Sequence, residues 1–377
     1  MAGFGLISDG KMLSDTRRAT IRNMTRNTGA IGCMSGWLYS FAHVAATYGR
    51  RIAMTVSFRG LTELTNLSGR VSDRLSHDFP HRFARRATSS LAVALVCLSF
   101  GWLGNAFAQE KVSLPSLDTD SRGAPVMIDA YLFRASNATG PTPAVVFMHG
   151  CNGMFTRKGK IDSRELDWAH RLNAQGYAVL AVDSFTSRAQ PSECARGGPV
   201  RPSVERPRDA YGALRYLQSL PGIQPDRIAL MGWSHGGGTV LFSIGPASPG
   251  RVRDAKPAPD FVAAIAFYPG WCNAKAQGPD WSTHIPLLLL TGADDVWSKP
   301  APCDAFVQEA TAHGAPITFH LYPGAVHDFD YPNLPVRSRP EFTNPRTHVV
   351  PITGTQPEAR DDAIARVTAF LAKAFGK

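Results

Sequence analysis

A chain of 377 residues, 44% of them hydrophobic, can bury a sizeable core without help from a metal or a disulfide. Its formal charge of +10 is unevenly spread: 13 of the 40 Lys and Arg but only 5 of the 30 Asp and Glu precede Gln109, leaving 27 against 25 in the remainder. The near-neutral remainder, with no basic helix carrying interleaved aromatics, excludes a nucleic-acid partner and an anionic-membrane surface as main roles.

At the N-terminal end, Arg82, Arg85 and Arg86 precede the apolar run 91–103, and Asn105-Ala106-Phe107-Ala108 places small residues at the −3 and −1 positions of a cut after Ala108. Residues 81–108 therefore read as a secretory signal peptide, and the mature protein as exported, periplasmic or secreted. An apolar core of 13 residues is shorter than the roughly 20 that span a bilayer, so no stable membrane span is expected in the mature form. Residues 1–80 are Arg-rich, acid-poor and without periodicity. They read as an over-extended start or a disordered N-terminal segment, with Met54 one candidate for a later start.

Residues 109–377 read as one α/β domain. Short apolar runs at 144–148, 178–182, 228–231, 261–267, 285–290 and 317–321 are nearly continuous, which implies strands buried on both faces. Such strands form a mostly parallel sheet flanked by helices on both faces. Asp162-Ser163-Arg164-Glu165 opens a helix as a capping box and Gly176 closes it; residues 203–220 form a second helix. A last helix opens at Thr355-Gln356-Pro357-Glu358 and places Ala363, Val367, Phe370, Leu371 and Ala374 on one face. The Pro-rich stretch 332–356 is too long for an ordinary connection and is either one wall of a site or a solvated excursion.

The chemistry is concentrated in loops that follow strands. Gly232-Trp233-Ser234-His235-Gly236 joins an apolar strand to a helix, the context of a nucleophile elbow with Ser234 at its apex. A serine hydroxyl needs a base to take its proton, and His327, just past the last strand, is the candidate. His149 and His235 lie near the site by motif and are better placed to shape it; His170, His313 and His320 fall on helix surfaces and a strand. The base in turn needs a carboxylate to fix its tautomer. Gly292-Ala293-Asp294-Asp295 offers two, and the spacing selects Asp295. The oxyanion needs two backbone donors, assigned to the N–H groups of His235 and of Cys151 in the Gly-rich turn His149-Gly150-Cys151-Asn152-Gly153. Trp233, Trp271 and Trp297 neighbour these segments and are either an aromatic pocket lining or buried core.

Cys33 and Cys97 precede the cut, and four cysteines remain. None of their spacings is CxxC, so no zinc or other metal site is expected, and an even count in an exported chain points to disulfides. Cys151 pairs with Cys194 and Cys272 with Cys303, each joining loops at the sheet's catalytic edge; the other two pairings, and four buried thiols, remain open.

These motifs in this order resemble the dienelactone hydrolase family of α/β-hydrolases over roughly residues 120–376. The likeness rests on His149 to Gly153, Val182-Asp183-Ser184-Phe185, Arg206-Pro207-Arg208-Asp209-Ala210, Gly232 to Gly236, and the Asp295 and His327 segments. In the namesake enzymes the elbow carries Cys and a Glu on the first catalytic loop helps to control it. Here the elbow carries Ser234, and residues 148–151 contain no Glu, as in the family's exported serine branch. The resemblance implies a cofactor-free hydrolase of small-molecule esters or lactones; a peptidase or amidase of the same fold and a non-catalytic binding protein are the alternatives. The oligomeric state is not legible.

Overall fold

The computed structural model describes residues 109–377 apart from 137, 195–197, 253–258 and 346. Residues 81–108, read above as a signal peptide, and residues 1–80 lie outside the described residues.

An eight-stranded sheet is the frame. Its strands are β1 (Gln109–Thr119), β2 (Pro125–Phe133), β3 (Thr142–Met148), β4 (Ala178–Asp183), β5 (Ile223–Trp233), β6 (Ala263–Phe267), β7 (Leu287–Gly292) and β8 (Ile317–Tyr322), in the order β1-β2-β4-β3-β5-β6-β7-β8. From β4 to β8 every pairing is parallel, while β2 runs antiparallel to both β1 and β4. This is the α/β-hydrolase fold expected from the sequence. The hairpin of β1 and β2 is not marked by the apolar runs, because both strands alternate more exposed with buried residues, as antiparallel strands with one solvated face do.

The helices are α1 (Ser163–Ala174), α2 (Glu205–Ser219), α3 (His235–Ile244), α4 (Ala274–Gln277), α5 (Pro300–Ala312) and α6 (Pro357–Ala374). Alternate residues of each central strand feed two cores. Val146, Leu230 and Leu289 pack with α2, α3 and α5, whereas Phe147, Met231 and Leu290 pack with α1 and α6. Burial on both faces is what the continuous apolar runs required. Among the described residues no helix is long and apolar enough to cross a membrane.

Two local expectations need adjusting. Asp162 caps α1 by accepting the Arg164 backbone N–H at 3.2 Å, but the Glu165 carboxylate is taken by Arg164 Nη2 at 2.8 Å, so the reciprocal half of the capping box is absent. Segment 332–356 is exposed along much of its length but is tied back to the site at its end. It holds a ribbon of β9 (Arg337–Ser338) and β10 (Ile352–Thr353), and its end returns to His327 through a bridge to Thr353 and a 3.0 Å bond from the Gly354 N–H to the His327 carbonyl.

Candidate active site

Ser234 sits between β5 and α3 with φ 53° and ψ −110°, a conformation that a side-chain-bearing residue adopts only under constraint. The constraint comes from both sides. The Ser234 N–H donates to the Phe267 carbonyl at 3.0 Å, and the Ser234 carbonyl accepts from the N–H groups of Gly238 and Gly270 at 2.8 and 2.9 Å. Close packing of the turn explains its glycines: a Cβ on Gly236 would stand 1.9 Å from the Met148 carbonyl oxygen, and one on Gly232 2.4 Å from that of Gly236. Ser234 is thereby held at the head of α3, beside the loop that leaves β3.

That loop is braced by Arg206, which the sequence marks only as part of a motif. Fully buried on α2, its guanidinium donates to the His149 carbonyl at 2.8 Å, to His235 Nδ1 at 2.7 Å and to Ser184 Oγ at 3.3 Å. One side chain thus ties together the two segments assigned the oxyanion donors. Burial pulls Arg206 down to about 9, against the attraction of Asp209. Burial and the Arg206 charge hold His149 and His235 far below the ordinary histidine range, so both rings are neutral. Their hydrogen bonds agree: His149 donates from Nδ1 to the Gly150 carbonyl at 2.7 Å and accepts the Ser184 N–H at Nε2.

On the opposite side, the loops after β7 and β8 deliver the candidate acid and base. Asp295 is buried and its Oδ2 accepts from His327 Nδ1 at 2.7 Å, while Oδ1 accepts the N–H groups of Trp297 and Ser298 at 2.8 and 2.9 Å. Asp294 is exposed. Burial disfavours the imidazolium of His327, but the Asp295 charge and hydrogen bond, with Asp328 beside it, outweigh that and raise the His327 pKa. The ring is fixed between Tyr268 and Trp297, with centroids at 4.5 and 4.8 Å.

Behind the base lies a buried charged group. Arg164 of α1 donates to Glu165 and Asp328, and its guanidinium covers the rings of Trp233 and Tyr331 at 4.9 and 4.8 Å. Burial pushes Glu165 up to about 7 against the pull of Arg164.

Ser234 opens into a cavity of about 760 Å³, bounded by Cys151, His235, Trp271, Trp297 and, from segment 332–356, Asn344 and Pro345. That segment is therefore one wall of the site, and Phe342 within it stacks on Trp297 at 5.5 Å. Trp271 and Trp297 line the cavity, but Trp233 does not: it is fully buried between Phe147 and Phe267, because its position precedes the apex and its side chain points into the core. Both cysteine pairs form as expected, Cys151–Cys194 and Cys272–Cys303. Cys151, Cys194 and Cys272 all border the cavity.

The dienelactone hydrolase family model matches residues 128–375, which spans β3 to β8, most of β2 and every segment of the site described above. The chain belongs to the dienelactone hydrolase family. Within this family setting, the chain is 33% identical over 185 residues to the quorum-quenching protein AidA of Acinetobacter baumannii strain MDR-ZJ06, covering 48% of this chain and 53% of that protein. It is 23% identical over 230 residues to a probable 2-oxo-3-(5-oxofuran-2-ylidene)propanoate lactonase of Bradyrhizobium sp, covering 59% of this chain and 86% of the relative. The chain spans about half the length of AidA. A solved structure of a puromycin-hydrolyzing peptidase from Mycobacterium tuberculosis superposes with a TM-score of 0.50 at 18% identity, over 72% of this chain and 40% of that one, a likeness of fold alone.

Proposed function

We propose that this dienelactone hydrolase family member hydrolyses carboxylic esters or lactones of small molecules through an acyl-enzyme on Ser234. The observation that carries the reading is the pairing of His327 with the buried Asp295 beside a cavity onto which a strained Ser234 opens. Ser234 Oγ attacks the carbonyl carbon as His327 Nε2 takes its proton, and Asp295 stabilises the imidazolium. The oxyanion is held by the backbone N–H groups of His235 and Cys151. His327 then gives the proton to the departing alkoxide, which in a lactone stays tethered to the acyl group. Water, deprotonated by His327, attacks the acyl carbon, Ser234 leaves with the proton, and the carboxylic acid is released.

The lactonase description of the Bradyrhizobium relative supports including cyclic esters. Trp271 and Trp297 favour an apolar or aromatic group beside the reacting carbonyl. Hydrolysis of acyl esters, lactones and amides by the isolated domain, with S234A in parallel, tests the reading. Ester or lactone turnover that vanishes in S234A is expected. Turnover persisting in S234A, or confined to amides, overturns it.

A further inference from the structure

We propose that the Asp330 carboxylate is a positioning residue that sets the nucleophile-bearing strand and the base-bearing loop in register. Asp330 lies three residues beyond His327 and is fully buried. Its Oδ2 accepts the indole N–H groups of Trp233 and Trp168, each at 2.8 Å, and its Oδ1 accepts the Tyr268 hydroxyl. These partners differ in what they hold. Trp233 is the residue before Ser234, and Tyr268 lays its ring on His327 from the end of β6. Trp168 belongs to α1, on the core side.

Three features point to placement rather than stability. An indole N–H can only donate, and the Tyr268 hydroxyl, which also accepts from Arg164 Nη1 at 3.3 Å, donates to Oδ1, so Asp330 serves all three groups as an acceptor, although burial raises its pKa. The His327 loop is also anchored without this side chain, through Arg360 Nε on the Asp330 carbonyl at 3.1 Å and through the Gly354 bond to His327. Finally, Tyr268 keeps a backbone φ of 33°, a strained value that its hydroxyl contact and the ring contact with His327 accompany. A buried carboxylate is costly and is often replaceable by an apolar group without loss of stability. Here it connects Ser234 and His327 through one neighbour of each, and a misplacement of about 1 Å at a reacting pair costs on the order of 10²-fold in rate.

The inference rests on the proposed roles of Ser234 and His327. It is tested by kcat, KM and Tm for p-nitrophenyl acetate in wild type, D330N, W233F and W168F, with S234A as the control. W233F and W168F each remove one hydrogen bond to the same oxygen and keep an aromatic ring, so W233F remains informative even where D330N fails to fold. The expected result is a kcat lowered roughly 10- to 100-fold in W233F and D330N, with KM within about twofold of wild type, and an unchanged kcat in W168F at temperatures well below each Tm. Equal losses of kcat in W233F and W168F, or full kcat in D330N and W233F, with S234A inactive, overturn the inference alone. An active S234A overturns the underlying reading as well.

Discussion

The two halves of the site are built on different principles. On the nucleophile side, between β3 and β5, position is set by backbone: a strained Ser234, glycines where a Cβ would collide with a carbonyl, and main-chain bonds from Phe267, Gly238 and Gly270. On the base side, beyond β7 and β8, side chains join the main-chain bond from Gly354 in setting position: Asp295 on His327, Asp330 on Trp233 and Tyr268, Arg164 on Asp328. A backbone device tolerates no change of shape, whereas a side-chain network loses function by degrees. Substitutions on the two sides should therefore differ in kind.

The largest effects should come from the proposed reacting groups, one from each side. Ser234→Ala and His327→Ala should each lower kcat by about 10⁴-fold or more, because the triad acts as a unit. Gly236→Ala should be as damaging by another route, yielding little folded protein, since its Cβ would lie 1.9 Å from the Met148 oxygen; circular dichroism and soluble yield distinguish this from a chemical loss. Asp295→Ala should cost less than His327→Ala, and the exposed Asp294→Ala almost nothing. A larger loss in D294A would place the carboxylate wrongly.

Arg206 bridges the comparison, a side chain that braces the backbone-built half. Arg206→Met should lower kcat about 10²-fold, comparable to loss of one oxyanion donor, because the His149 carbonyl and His235 Nδ1 lose their common donor. Reduction should act more mildly. Each disulfide closes a loop, with sequence separations of 43 and 31, worth about 4 kcal/mol in the chain-entropy model. Tm should fall under reductant, and kcat should fall several-fold below the new Tm as the Cys151 loop loosens. Smallest is a shift in pH dependence. His327 must be neutral to accept a proton and its pKa is raised, so the acid limb of kcat/KM should lie above the ordinary histidine value, with activity rising as pH passes through it. Asp295→Asn, which removes the negative charge, should move that limb to lower pH; a limb that stays put would assign it to another group.

The same division explains what could be read from the sequence. The strained turn at Ser234 was legible because backbone constraints leave glycines at fixed spacing around it, and the parallel sheet was legible because two-sided burial leaves unbroken apolar runs. Asp295 was separable from Asp294 by its distance from Gly292. The contacts of Arg206 and Asp330 were not legible, since they reach across 22 to 162 residues of sequence to partners that only the fold brings together. Trp233 misled for a related reason: proximity in sequence to Ser234 says nothing of direction, and the turn sends its indole into the core. The β1–β2 hairpin was missed because its one-sided burial leaves no continuous apolar run.

The account stands on Ser234 being activated by His327. The most direct measurement is labelling of the purified hydrolase domain with a fluorophosphonate probe, followed by mass mapping, in wild type and in H327A. The account predicts stoichiometric modification of Ser234 in wild type and labelling slowed by orders of magnitude in H327A. Modification at another residue, or equal labelling rates in the two proteins, would contradict it.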